Sequence, residues 1–155
     1  MSLISIFAIS ACGFTPLYKK DSNNVEGCEN FSVKSSGYEE VGIKLRYRLQ
    51  DKLNEACLNA DKNYLVNLNI DKTEEAIGIQ KDREISRYNI GLVSSYTVTE
   101  SESEKTFSGV SSLKGGYNAV ASDYGTYAQQ QDTFKKLAIE TADDLALRIA
   151  LQLKN

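Results

Sequence analysis

The chain contains no His, no Trp, one Met and one Pro. Without His it lacks the commonest general base and the commonest metal ligand. Hydrolases built on a Ser-His pair and His-containing zinc sites are therefore excluded. It also lacks a Gly-rich phosphate loop, and no CxxC pair is present to support thiol redox chemistry. Positive charge is not in excess: 18 Lys and Arg stand against 21 Asp and Glu, a net charge of -3. A nucleic-acid binder usually presents a clearly basic face, so that class is disfavoured. No internal repeat occurs, and the only biased tract is a short Ser/Asn-rich patch. What remains is a chain of 155 residues, 41% hydrophobic and 25% charged, enough for one domain with an ordinary core. A binding or scaffolding domain is the leading class.

The N-terminus says where such a domain works. Met1 to Ala11 is uncharged, mostly apolar, and ends at Cys12. A short apolar run followed by small residues reads as a secretory signal peptide, residues 1–11. Crossing a bilayer would take about 20 apolar residues, and the run is far shorter. Ile9-Ser10-Ala11-Cys12 resembles a bacterial lipobox, in which the Cys is acylated and becomes the mature N-terminus. No Lys or Arg precedes the apolar run, a departure that points to a start further upstream. The plainer alternative is a buried N-terminal strand with a chance Cys. Several acyl chains on Cys12 would anchor the protein stably, at about 0.8 kcal/mol per buried methylene. Gly13, rather than Asp, follows the Cys, which in lipoproteins of the enteric type favours the outer membrane. Residues 12–30 are polar, carry Pro16, and suit a lipidated tether. Beyond the covalent lipid no cofactor is expected.

Cys28 and Cys57 remain. In an oxidising compartment a disulfide between them is permitted. It would close a loop of about 29 residues and contribute roughly 3 kcal/mol. Two separate half-buried thiols fit the sequence equally well.

Residues 31–155 read as one domain. Phe31 to Ser35 alternates as a short strand. From about Glu40 to Ala60, Val41, Leu45, Leu49, Leu53, Ala56 and Cys57 recur at helical spacing. Three strands follow. Tyr64, Val66, Leu68 and Ile70 alternate with polar partners up to Asp71. Tyr88, Ile90, Leu92, Tyr96 and Val98 share a face opposite Asn89, Gly91, Val93, Ser95 and Thr97, and Lys105 to about Tyr117 sets Phe107 and Leu113 on one face. Lys81-Asp82-Arg83-Glu84 and Ser101-Glu102-Ser103-Glu104 mark the turns between them. A second helix runs from about Thr126 to Leu153, its stripe drawn by Phe134, Leu137 or Ala138, Thr141, Leu145, Ile149 and Leu153. Alternation with one polar face implies antiparallel pairs covered on one side. The expected fold is an α+β two-layer sandwich, order β-α-β-β-β-α, with two helices on one face of a four-stranded, mostly antiparallel sheet.

Cys12-Gly13-Phe14-Thr15-Pro16-Leu17-Tyr18 resembles the mature start of the lipopolysaccharide-assembly lipoproteins of the LptE family, especially the alphaproteobacterial branch. The strand start Arg87-Tyr88-Asn89-Ile90 is similar to that family's, as is Tyr124-Gly125-Thr126-Tyr127-Ala128 leading into a long final helix with Ala142, Leu145 and Ile149. The resemblance spans nearly the whole mature chain in element order, although the motifs other than the lipobox start are short. It implies an outer-membrane lipoprotein that plugs and helps assemble a large β-barrel, LptD. It further implies binding of lipopolysaccharide for delivery to the outer leaflet, with no reaction catalysed.

Against that role, Asn67, Asn69, Asn89, Ser95 and Thr97 make a sheet face polar but nearly uncharged, as a plug in a polar lumen requires. The same face could simply meet water. Lys81, Arg83 and Arg87 cluster beside a strand turn and Lys114 lies on a later strand. Arg and Lys are the residues that hold phosphates and acidic sugars, and similar strand-turn cations serve lipopolysaccharide binding in the family. A solvated turn balanced by Asp82 and Glu84 is the alternative. Tyr117, Tyr124 and Tyr127 could rim a partner interface, but are expected to cap a core edge with the hydroxyl in water.

Two other functions compete. One is an auxiliary lipoprotein of a lipid-trafficking ABC system, distinguished by an inner-membrane partner. The other is a carboxylate-driven glycosidase, which needs two carboxylates about 5–9 Å apart across one bond. The pairs Asp143-Asp144, Glu39-Glu40 and Glu74-Glu75 are adjacent in sequence and point to different sides, so an enzyme is not expected.

Overall fold

In a computed structural model, residues 28, 30–37, 39–59, 61–79 and 85–154 are described, and the fold rests on them. The elements are β1 (Phe31–Gly37), α1 (Glu39–Ala56), β2 (Tyr64–Ile79), β3 (Ile85–Glu100), β4 (Thr106–Asn118) and α2 (Asp123–Leu153). They form a four-stranded sheet in the order β1-β2-β3-β4. β1 runs parallel to β2, and the other pairings are antiparallel. The parallel pair follows from α1, which carries the chain over the sheet between β1 and β2 as a crossover. The α+β order expected from the sequence is the order observed.

Alternation fixes which face is covered. In register, Phe31, Val33, Tyr64, Val66, Leu68, Ile70, Ile90, Leu92, Tyr96 and Val98 lie on one face, and all are buried. α1 lays Val41, Leu45, Leu49 and Leu53 on it, and α2 lays Phe134, Leu137, Ala138, Ala142, Leu145 and Ile149. These two stripes and the sheet face make one continuous core. The helices also meet each other, where Arg48 forms a two-pronged pair with Asp143 at 3.1 Å.

Several limits move. α1 ends at Ala56, not Ala60, because the chain turns left-handed at Cys57 (φ 47) and Asn59 (φ 48). Cys57 therefore lies beyond the helical stripe, and Ala56 is exposed. α2 begins at Asp123, ahead of Thr126, with Ser122 as its N-cap accepting from the Gly125 N–H. The largest difference is β2. It runs past Asp71 through Lys72-Thr73-Glu74-Glu75 to Ile79, because β3 supplies a partner for each of these charged residues. β1 stops opposite Ile70, so this outer half of β2 has no strand on its far side.

Cys28 and Cys57 are joined by a disulfide, with Cα atoms 5.3 Å apart. Around it, Asn30 Nδ2 donates to Leu58 O at 2.7 Å and the Phe31 N–H donates to Asn54 Oδ1 at 3.0 Å. The start of β1 is thus bound to the end of α1. Cys12, the expected lipid-attachment residue, lies outside the described residues, as do the signal-peptide stretch and the tether up to residue 27. Among the described residues no helix is long and apolar enough to cross a membrane.

Candidate functional site

The second sheet face is where the fold leaves side chains without a covering layer. Both helices pack on the other side, so Ser32, Leu65, Asn67, Asn69, Thr73, Asn89, Val93, Ser95, Thr97, Ser108 and Ser112 project away from the core. Among the described residues, charge on this face is confined to Lys34, Asp71, Glu75, Arg87 and Lys114. On the central strand β3 none occurs from Asn89 to Thr99. Asn67, Asn69, Asn89, Ser95 and Thr97 do share one continuous surface. The nearly uncharged character expected of it holds only along β3, because charged residues of β1, β2 and β4 and Arg87 at the start of β3 share the face.

Of the four basic residues singled out from the sequence, Lys81 and Arg83 lie outside the described residues. Arg87 and Lys114 are both exposed and both on this open face. Arg87 pairs with Asn118 and Lys114 with Gly91, an offset of four residues, or about 13 Å along the strands. They bracket a strip rather than form one cluster. Between them Gly91 and Gly116 carry no side chain. A Cβ on Gly116 would sit 3.2 Å from Asn89 Oδ1 and 3.3 Å from an Arg87 guanidinium nitrogen, and one on Gly91 would collide with Thr73 Oγ1. The glycines let Thr73, Asn89 and Arg87 close over the backbone. A hollow of about 40 Å³ remains between Thr73, Glu75, Asn89 and Lys114.

A second feature lies on the helix side, where β2, β3 and β4 run past the end of β1. Its floor is Glu74, Tyr88 and Tyr117, and its wall is the first turns of α2, with Asp123, Tyr127 and Gln130. The opening encloses about 350 Å³. Tyr88 and Tyr117 face each other across β3 and β4 with ring centroids 5.0 Å apart and planes at 12°. Tyr117 Oη donates to Glu74 Oε1 at 2.6 Å, Gln130 Nε2 donates to the same oxygen at 2.8 Å, and Lys72 Nζ lies 3.3 Å from Oε2. Partial burial works against charge on Glu74, but these donors outweigh it and hold the carboxyl below the usual range. Burial, reinforced by the bond to Glu74, pushes the Tyr117 phenol well above its usual range. Hence Tyr117 stays protonated and Glu74 ionised.

This corrects the reading of the tyrosines. Tyr117 is buried, with its hydroxyl on a carboxylate rather than in water. Tyr124 and Tyr127 are 80% and 55% exposed and cap no core edge. The cleft was not anticipated from the sequence, because Glu74 looked like half of an adjacent acidic pair in a charged stretch. Only the period-two series Ile70, Lys72, Glu74 on an extended strand could have placed it on the helix face.

A third polar cluster ties α2 to β4. Ser111 Oγ donates to Asp144 Oδ2 at 2.6 Å, and Arg148 Nε donates to the same oxygen at 2.6 Å. Arg148 chiefly, with Ser111 and against a burial penalty, holds the Asp144 carboxyl below its usual range. Asp143 meanwhile turns to Arg48 on α1, so the adjacent pair does point to different sides. Among the described residues no group of acidic or Cys side chains is placed to hold a metal ion.

No family model matches the chain. No curated protein matches its sequence. Among solved structures, the fold is similar to a proposed lipoprotein from Caulobacter crescentus CB15, with 20% identity and a TM-score of 0.62 over 83% of this chain and 93% of that one. It is also similar to the rare lipoprotein B from Shewanella oneidensis, with 16% identity and a TM-score of 0.60 over 81% of this chain and 98% of that one. At these identities the likeness establishes the fold, which is shared across almost the full length of both neighbours.

Proposed function

We propose that the protein is an outer-membrane lipoprotein, anchored through acylated Cys12, whose open sheet face packs inside the LptD β-barrel. There it assists barrel assembly and binds lipopolysaccharide for delivery to the outer leaflet, without catalysing a reaction and with no cofactor beyond its lipid. The observation that carries this reading is the uncovered face itself, which is continuous, rich in Asn, Ser and Thr, and free of charge along β3 from Asn89 to Thr99. A barrel lumen is polar, and a strip of surface that hydrogen-bonds without charge loses little on entering it. The names of the two fold neighbours accord with a lipoprotein, and rare lipoprotein B belongs to the family that the lipobox start resembles. In this reading Arg87 and Lys114, with Lys81 and Arg83, are the cations that meet lipopolysaccharide phosphates.

The test is a detergent pull-down of the tagged chain from its own cells, with partners identified by mass spectrometry. A near-stoichiometric large outer-membrane barrel is expected, and it should be lost or reduced with Cys12→Ala. Asn89→Lys and Thr97→Arg place charge on the open face and should weaken co-purification while circular dichroism stays unchanged. Unchanged co-purification would remove the plug reading of this face. Recovery of an inner-membrane transport complex would instead favour an ABC-system auxiliary lipoprotein.

A further inference from the structure

We infer that the cleft between the stacked Tyr88–Tyr117 pair and the first turns of α2 is a binding site for an uncharged saccharide ring. The first ground is size and setting: an open groove of about 350 Å³ lies between three strands and a helix, on the scale of a small-ligand site, with three Tyr among its polar lining. Tyr117 is buried beneath Tyr88, so the rings left to a ligand are the half-buried Tyr88 and the exposed Tyr127. These are flat apolar surfaces on which the C–H face of a sugar stacks while a few fixed polar groups orient it. The second ground is which polar groups remain available. Glu74 already accepts from Tyr117 and Gln130 through one oxygen and faces Lys72 through the other, so its charge is matched within the protein. With the Gln130 amide nitrogen committed to Glu74, its carbonyl oxygen is left as an acceptor. The Tyr127 hydroxyl, on a ring 55% exposed, and the Asp123 carboxylate in the first turn of α2 complete the rim.

The third ground is charge. Among the described residues no Lys or Arg lines the cleft, and Lys72 beside it is held on Glu74 Oε2, so a phosphate or a carboxylate ligand finds little to hold it. A cation is also poorly served. Glu74 already faces three donors, one of them the Lys72 ammonium, Asp123 lies where the helix N-terminus offsets its charge, and Tyr88 and Tyr117 turn one ring face to each other. Hydroxyl groups, which both donate and accept, match the remaining acceptors and phenols. This site is distinct from the open sheet face on the other side of β2, β3 and β4, and it stands whether or not the barrel reading holds.

The test uses the uniformly ¹⁵N-labelled full chain in a sugar-free detergent, followed by amide chemical shifts. Two saccharides separate the sources of such a ring: N,N′-diacetylchitobiose for a cell-wall sugar, and dephosphorylated core oligosaccharide for a lipopolysaccharide sugar. At least one should give saturable shifts centred on residues 123–131 and on the β3 and β4 positions around Tyr88 and Tyr117. Tyr127→Ala, on an exposed helical position that leaves the remaining spectrum intact, should weaken that binding about tenfold, the equivalent of one lost aromatic stacking contact. Gln130→Ala should weaken it as well. Inorganic phosphate and spermidine should leave these amides unmoved. No saturable shift with either saccharide would overturn the inference, as would stronger shifts of the same amides with phosphate or with spermidine.

Discussion

Replacing Cys28 and Cys57 together by Ser should lower stability by about 3 kcal/mol while leaving the folded structure intact. The magnitude comes from the separation of 29 residues that the bond closes, whose loop entropy is removed from the unfolded chain. The folded ends of that loop are held by more than the bond. Asn30 Nδ2 reaches both Leu58 O at 2.7 Å and Asn59 O at 3.2 Å, and the Phe31 N–H reaches Asn54 Oδ1 at 3.0 Å. Phe31 also stacks on Tyr64 with centroids 4.9 Å apart. Because the native junction is determined by these contacts, the effect should fall on the unfolded ensemble. Urea unfolding of the full chain in detergent, with and without reductant, separates the possibilities. The double variant should keep the native near-ultraviolet signal, unfold at lower urea, and show a steeper dependence on denaturant, since the uncrosslinked chain exposes more surface. Its thermal midpoint should fall by roughly 10 °C for a domain of this size. Reductant should move the wild type to the variant's midpoint and leave the variant where it is. A loss below about 1 kcal/mol, or collapse of the native signal without denaturant, would refute this division between folded and unfolded states.

Tyr117→Phe removes the 2.6 Å bond to Glu74 and should cost about 1.5 kcal/mol at neutral pH, read by urea unfolding. Glu74 has a carboxyl pKa lowered by folding, so its contribution is present above the unfolded value near 4.5 and lost as pH falls through the folded value. In Tyr117→Phe the Glu74 side-chain carbon resonance should therefore titrate at higher pH than in wild type, and an unchanged titration would discard the proposed hydrogen bond. Gly37→Ala should destabilise by about 2 kcal/mol or more, because φ there is +94° and a Cβ would collide with the Ile70 carbonyl; a neutral effect on thermal unfolding would show that β1 ends differently.

The fold was legible wherever burial imposes a period. Val41, Leu45, Leu49 and Leu53 draw α1, and Tyr64 to Ile70 and Tyr88 to Val98 alternate so regularly that both the strands and their covered face can be read directly. Legibility failed where a neighbour, not the local sequence, decides the state. Lys72-Thr73-Glu74-Glu75 has the composition of a turn and becomes strand because β3 pairs with it, and Glu74 is tolerated on the helix face because Tyr117, Gln130 and Lys72 arrive from elsewhere in the chain. Of the candidate site, the polar face could be read from period two, whereas the cleft could not. Its floor joins residues from three strands, and its existence depends on where β1 stops.

The balance of charge between the two sides of the sheet bears on function. A sheet face in water usually carries Lys and Glu, which keep it soluble and discourage pairing with other chains. This chain is 25% charged, yet from Asn89 to Thr99 the open face of its central strand holds Asn, Gly, Val, Ser and Thr. The charges of this face flank that stretch, at Lys34, Asp71, Glu75, Arg87 and Lys114, and others lie on the exposed sides of the helices, in pairs such as Lys136–Asp132. An apolar open face would require a third layer of the domain, and a highly charged one would resist transfer into any enclosed setting. A neutral polar strip does neither: it is satisfied by water when uncovered and exchanges that water for another polar wall at small net cost. That property, rather than any single residue, is what the proposed packing inside a barrel lumen would draw on.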